Sequence, residues 1–224
     1  MSLRQRGPRS LAVALVALLG LWLAALANAQ ASVATCPPTS TSAQSTPTPN
    51  GAQPSPEQVI ACIGSIPISA ATFTHWSAIA RKYEGASSKH APATATEVVS
   101  EVMGFLISSD WVLAEAREQG IVVSEAVVRR AFDRISHQQF PRRGEFKKFL
   151  RQTGETVADL LLRIRLNLLS QRIQSEVVAG HHGERARQQA LKRFAEGFKA
   201  RWMAQTYCEP AYAVADCGHV QASL

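Results

Sequence analysis

Apolar residues after position 69 recur at the three- and four-residue spacing that places them on one face of a helix. Six stretches show this pattern, and each is bounded by a glycine, a proline or a side chain that can cap a helix. The predicted helices cover residues 70–84, 94–120, 125–140, 142–153, 157–178 and 184–207. The stretch that begins at 157 is the most apolar, so we expect its helix to be the central one.

Two short β-prone runs precede these helices. They read VIACIG and SIPIS and meet at Gly64-Ser65, a pair that suits the tight turn of a hairpin. Pro67 lacks an N–H group, which restricts the second run to a sheet edge or to a bend before Ser69, a residue that can cap the first helix. The pattern therefore predicts a mainly α fold opened by a short β-hairpin.

Capping signals mark the start of two helices. The pairs Thr94-x-x-Glu97 and Thr156-x-x-Asp159 have the spacing of capping boxes, in which each side chain bonds the other residue's backbone N–H. The GHHG run at 180–183 interrupts the helical pattern. Its two adjacent histidines cannot both face one site from a helix, so we predict a loop there, with metal binding as the minor alternative.

The N-terminal region has the composition of an export signal. Residues 1–29 combine three arginines without an acid, an apolar run over 11–27 and the small-residue ending Ala27-Asn28-Ala29, which predicts a signal peptide or an uncleaved membrane anchor. Residues 30–56 are mostly Pro, Ser, Thr, Gln and other small or polar residues, and we expect a disordered linker. The chain is therefore predicted to be exported and either secreted or membrane-anchored.

Four cysteines in an exported chain favour disulfides. Cys208 and Cys217 bracket a short loop, and we predict that they form a bridge that staples the C-terminal tail; a zinc site with His219 would lack ligands. Cys36 could pair with Cys62 or carry a lipid, although a threonine precedes it where a smaller residue is the rule. Cys62 could also be a buried thiol.

The two halves of the predicted folded part differ in net charge. Residues 57–125 contain eight acids against four Arg and Lys, whereas residues 126–207 contain 17 Arg and Lys against seven acids, so the balances are −4 and +10. An ordinary solvated helix surface explains at least half of this excess of Arg and Lys. A basic surface could also bind acidic client proteins or an anionic membrane or wall surface. Nucleic acid is not expected outside the cytoplasm. The candidate basic surface consists of Arg142, Arg143, Lys147, Lys148 and Arg151.

No pattern of catalytic residues stands out. The chain has no nucleophile elbow, zinc-protease helix or phosphate-binding loop. Glu115 and Glu118 share a helix face, which solvent exposure explains without catalysis, and His75 beside Trp76 is interpreted as an aromatic contact with the core. We therefore expect no catalytic residue, cofactor or metal.

Three passages follow one another along the chain: the opening strand, turn and Ile-Pro-Ile-Ser at 60–69, WVLAEAREQGIVVSEAVVRRAF at 111–132, and FKKFLRQTGETVADLLLRIRLNLLSQRI at 146–173. In this order they resemble the N-terminal chaperone domain of the SurA and PrsA foldases. The resemblance implies a SurA-N or trigger-factor-like helical domain over 57–207, followed by a disulfide-stapled tail at 208–224. It also implies an ATP-independent holdase for unfolded or nascent exported proteins.

The family often carries a parvulin-type prolyl isomerase domain, and we expect that domain to be missing because the chain leaves no room for one. Two alternatives stay open: a prolyl isomerase by family inheritance, or a non-catalytic module that binds the envelope or cell wall. For the holdase, an adaptable apolar groove would receive client segments, although each large apolar residue also suits a core. The candidate client-binding residues are Trp76, Met103, Trp111, Phe132 and Trp202.

Overall fold

The computed structural model describes residue 36 and residues 54–86 and 94–218. The predicted signal segment, most of the predicted linker and the last six residues lie outside these ranges. Six helices and a small sheet confirm the prediction of a mainly α fold opened by a β-hairpin. The elements are β1 (Val59–Ile63), β2 (Ile66–Ser69), α1 (Ala70–Ala86), α2 (Ala95–Glu118), α3 (Glu125–Gln139), α4 (Glu145–Thr153), α5 (Val157–Val178), α6 (Glu184–Ala204) and β3 (Thr206–Cys208), followed by a 3-10 turn at Pro210–Tyr212.

Local side-chain chemistry determines where two of the long helices begin. The hydroxyl of Thr94 accepts a hydrogen bond from Glu97 N at 3.2 Å, and the Glu97 carboxylate accepts one from Thr94 N at 2.7 Å. The Thr156 and Asp159 pair repeats both bonds at 3.2 and 2.7 Å at the start of α5. Both predicted capping boxes are therefore confirmed, and each satisfies N–H groups that a helix leaves unpaired at its first turn.

The sheet has a third strand that the sequence analysis did not predict. β1 lies between β2 and β3, and both pairings are antiparallel. The predicted continuation of the last helix to Tyr207 is wrong, because α6 ends at Ala204. At the end of α6, the Thr206 hydroxyl donates a hydrogen bond to Trp202 O at 2.8 Å. The following residues pair with the open edge of β1, where Glu209 N donates to Ile60 O at 2.8 Å.

Two disulfides hold the ends of the domain to this sheet. Cys208 and Cys217 are bonded as predicted and are fully buried in the core. Cys36 is bonded to Cys62 of β1, which settles the open alternatives for both residues. A sulfur in that bond cannot also carry a lipid, so the lipid-anchor alternative at Cys36 is incompatible with this structure.

The two bridges indicate an oxidising, extracytoplasmic environment. Among the helices in the described ranges, none is long and apolar enough to cross a membrane. The predicted signal or anchor at 1–29 lies outside those ranges.

The core consists of two apolar clusters that share α2. One cluster joins the sheet, α1, most of α2 and the end of α6, and the other joins the end of α2 to α3 and α5. Ten residues of α2 are buried, against three of α5. The central helix is therefore α2, and the prediction that α5 is central is wrong, because one face of α5 stays open to solvent.

A buried carboxylate links α2 to α6. Glu115 is only 2% exposed, so its predicted solvent exposure is wrong. Its carboxylate accepts a hydrogen bond from Trp202 Nε1 at 2.7 Å and further bonds from Arg201 and Gln119. Glu118 lies one turn further along α2, is half exposed and is 3.2 Å from Arg201. A buried charge is tolerated only when it is paired and hydrogen-bonded in this way.

Replacing Glu115 by alanine tests this link. We expect Glu115→Ala to lower the free energy of unfolding by about 3 kcal/mol or more, because it leaves the Trp202 N–H and the Arg201 charge without their buried acceptor. Glu118→Ala removes an exposed partner of the same arginine and should cost less than about 1 kcal/mol. Urea unfolding of the two variants measures the difference, and equal losses would contradict the buried role of Glu115.

Candidate functional site

One cleft in the described part of the chain opens between α1, α2 and α5. It encloses about 320 Å³, and most of its wall is apolar or aromatic. Glu101 and Arg163 contribute its charged groups. The lining residues are Trp76, Ile79, Ala80, Tyr83, Glu101, Val102, Phe105 and Arg163.

The second cleft opens between α3 and α5 and encloses about 410 Å³. Its floor is aliphatic, and its rim carries two guanidinium groups and two side-chain amides. The lining residues are Ala131, Arg134, Ile135, Arg163, Ile164, Asn167, Leu168 and Gln171. Arg163 lines both clefts, and we call the pair the α5 groove.

Arg163 is held in a defined position where the two clefts meet. Its guanidinium carbon lies 5.0 Å from the ring centroid of Trp76 and 5.0 Å from that of Phe105. The two rings are themselves in contact, with centroids 4.5 Å apart. Stacking on aromatic faces suits the flat, weakly hydrated guanidinium group. Its Nε is also 3.1 Å from a carboxylate oxygen of Glu155, which fixes the plane of the group.

Glu155 is the buried anchor of this arrangement. Its side chain is 1% exposed, and each of its oxygens has a partner, Arg163 on one and the Tyr83 hydroxyl at 2.7 Å on the other. Glu155 lies in the turn between α4 and α5, and Tyr83 lies in the last turns of α1. The pairing therefore holds the start of α5 against α1.

The surroundings of Tyr83 keep its hydroxyl protonated. Burial is the largest cause that raises its pKa to about 12, and the hydrogen bond to Glu155 and the charge of that carboxylate add to it. A proton retained to this pH makes Tyr83 a permanent donor to Glu155 under physiological conditions. The contact does not act as a switch near neutral pH.

A second polar contact ties α5 to α1. His75 Nε2 lies 2.9 Å from a carboxylate oxygen of Asp159. Burial would raise the pKa of Asp159, but hydrogen bonds from Thr156 and His75 together outweigh it and hold the pKa below its ordinary value. The predicted aromatic contact of His75 with the core is confirmed, because its ring centroid lies 5.6 Å from that of the core residue Trp76. The same side chain is 42% exposed and also joins α1 to α5 through Asp159.

The structure separates the predicted client-binding residues. Trp76 lines the α5 groove, whereas Phe132 lies outside it, half-buried against Phe146 at 5.7 Å between ring centroids. Met103, Trp111 and Trp202 are core residues, between 0 and 4% exposed, and Trp76 is itself a core residue of which only 5% is exposed at the wall of the first cleft. Both core indole N–H groups are used internally, since Trp111 donates to Thr206 at 2.9 Å and Trp202 donates to Glu115.

The candidate basic surface lies on α4 and on the turn before it. All five of its residues are exposed: Arg142, Arg143, Lys147, Lys148 and Arg151. The opposite face of α4 packs through Phe146 and Phe149 on Phe140, with ring centroids 5.4 and 5.1 Å apart. Arg142 lies 3.8 Å from Glu145, and the other four form no ion pair with any described residue. The charges therefore face solvent.

Metal binding gains no support from the described ranges, in which no group of three or more His, Cys, Asp or Glu side chains could hold an ion. The histidine pair lies in the loop between α5 and α6, as predicted. His181 Nδ1 is 3.3 Å from Ala179 O, a contact within that loop.

Comparisons with protein families, curated protein sequences and solved structures find no match to this chain. The resemblance to the SurA and PrsA chaperone domain therefore depends on the sequence passages alone and stays a prediction.

Sequence reasoning missed Tyr83, Glu155 and Arg163, which build the groove. Tyr83 and Glu155 are 72 positions apart in the chain, so no local spacing connects them. Arg163 is one of several arginines on a helix, and only its stacking on two distant rings distinguishes it. Tyr83 lies near the end of α1, beside Arg81 and Lys82, where a tyrosine resembles an ordinary surface residue.

Removing the Tyr83 hydroxyl tests the buried anchor. We expect Tyr83→Phe to lower the free energy of unfolding by about 1 kcal/mol at neutral pH, because one oxygen of Glu155 loses its donor and the ring is partly exposed. The folded protein holds the Tyr83 proton more tightly than the unfolded chain does. The stabilisation is therefore complete below pH 10 and is lost as the pH rises through about 12.

Unfolding curves of both proteins between pH 7 and pH 11.5 measure this difference. The advantage of the wild-type protein should shrink above pH 10. A difference that is zero at pH 7, or that stays constant over the whole range, would contradict the account of the Tyr83 contact.

Proposed function

We propose that this protein is an extracytoplasmic, ATP-independent chaperone that holds unfolded or nascent exported proteins in the α5 groove. The single observation that supports the proposal best is the groove itself, in which two open clefts of about 320 and 410 Å³ meet at Arg163. Their mostly apolar linings suit exposed hydrophobic side chains of an unfolded chain.

The shape of the groove favours extended segments as ligands. Each cleft is large enough for one or two bulky side chains and too small for a folded domain. Trp76, Phe105 and Arg163 are already held in place by stacking, so binding costs little further ordering of the protein. Affinity would come from apolar burial, and clients would leave by folding or by dilution.

The basic surface on α4 supports a steering role. Its exposed charges, within a half of the chain that carries a balance of +10, would attract acidic client segments and speed their encounter. The same charges support a second candidate function, a non-catalytic module that binds an anionic membrane or wall surface. Secretion or membrane anchoring by residues 1–29 is compatible with both functions.

An aggregation assay tests the chaperone function. The exported chain with both disulfides formed should suppress aggregation of a denatured exported protein at a near-stoichiometric ratio without nucleotide. Ala80→Arg, which places a long side chain in the first cleft, should weaken suppression several-fold. Ala78→Arg makes the same change on an exposed position of α1 outside the groove and should behave like the wild-type protein.

An X-Pro isomerisation assay on the same samples tests the alternative that the protein is a prolyl isomerase. We expect no enhancement of the isomerisation rate. If aggregation is not suppressed at any ratio, the chaperone proposal is refuted. If the protein then bound anionic vesicles or wall polymer in a salt-dependent way, the envelope-binding function would replace it.

A further inference from the structure

The two ends of the α5 groove differ in charge. The charged groups of the first cleft are Glu101 and Arg163, and because the charge of Arg163 is offset by its ion pair with Glu155, the Glu101 carboxylate disfavours an acid there. The second cleft is lined by Arg134 and Arg163 and contains no carboxylate among its lining residues. A ligand that spans the groove therefore meets an apolar, weakly acidic end and an apolar, basic end.

Arg163 has hydrogen-bonding capacity left over for a ligand. A guanidinium group carries five N–H donors, and Glu155 engages Arg163 through Nε. The two terminal nitrogens make no hydrogen bond or ion pair with any described residue, and the side chain is 45% exposed. Because the rings of Trp76 and Phe105 fix the plane of the group, its remaining donors are already oriented.

Arg134 supplies the net positive charge of the second cleft. The charge of Arg163 is offset by Glu155, whereas Arg134 forms no ion pair within the described part of the chain. Beneath the two arginines lies an aliphatic floor that includes Ile135, Ile164 and Leu168. This combination suits an acidic side chain whose methylene groups and neighbours pack on the floor.

We propose that the α5 groove selects extended client segments in which a carboxylate side chain lies a few residues from a bulky apolar side chain. The carboxylate binds between Arg134 and Arg163 in the second cleft, and the apolar side chain occupies the first cleft against Ala80, Tyr83 and Phe105. This inference rests on the proposed chaperone function and adds the class of client segment to it. Glu101 sets the orientation, because it repels the carboxylate from the first cleft.

Arg134 is the residue to change, because Arg163 also holds Glu155 and its loss would disturb the fold. Arg134→Gln keeps a long polar side chain and removes the charge, and Arg134→Glu reverses it. Arg193→Gln on α6 is the matched control, since Arg193 is exposed, lies outside both clefts and forms no ion pair with a described residue.

The experiment measures the Kd of fluorescent ten-residue peptides by anisotropy, with the exported chain at low and moderate salt. Three peptides share one apolar cluster and differ only in a residue three positions away, which is Asp, Asn or Lys. The wild-type protein and Arg193→Gln should bind the Asp peptide about tenfold more tightly than the Asn peptide, as expected for a charge-assisted pair. Arg134→Gln should lose most of that ratio, and Arg134→Glu should prefer the Lys peptide.

Three results would overturn the inference in distinguishable ways. Equal affinities for the Asp and Asn peptides, with aggregation still suppressed, would refute the carboxylate selectivity and leave the chaperone function standing. If no peptide binds and aggregation is not suppressed either, the proposed function itself fails together with the inference. A preference for Asp that persists unchanged in Arg134→Gln would also refute the assigned site.

Discussion

A carboxylate with almost no access to solvent organises the open face of this protein. Glu155 tolerates burial because Arg163 and Tyr83 each take one of its oxygens. These contacts, with the His75 and Asp159 pair, hold the first turns of α5 against α1. They also hold the Arg163 guanidinium over two aromatic rings, where it divides the groove into its two clefts. The groove therefore depends on how one buried charge is neutralised.

A second buried carboxylate has the corresponding role inside the domain. Glu115 joins α2 to α6 through Trp202 and Arg201, at the point where α6 ends and the chain enters β3. The third strand and the Cys208 to Cys217 bridge then secure the C-terminal part against β1. The core is thereby fixed by α2, the sheet and α6, which leaves the outer face of α5 free to line a groove.

Local signals in the sequence predicted much of the fold. The hairpin, the two capping boxes and the Cys208 to Cys217 bridge each depend on residues within about ten positions of one another, so spacing alone identifies them. β3 depends on the distant edge of β1, and no pattern over three residues indicates it. A tryptophan side chain suits a buried core and an open groove equally well, so the sequence does not predict which of the two it occupies. The partner of the indole N–H distinguishes them, and for Trp111 that partner is the buried Thr206 hydroxyl. The groove was missed because its central arginine is positioned by residues from other helices.

We propose that client segments bind in the α5 groove, and site-specific photocrosslinking can show where they bind. A photoreactive residue is placed in turn at Ala80 in the first cleft, at Asn167 in the second cleft and at Val122, which is 72% exposed but outside both. With a denatured exported protein present, the account predicts strong crosslinks from Ala80 and Asn167 and weak ones from Val122. Equal crosslinking from all three positions, or crosslinking confined to Val122, would contradict it.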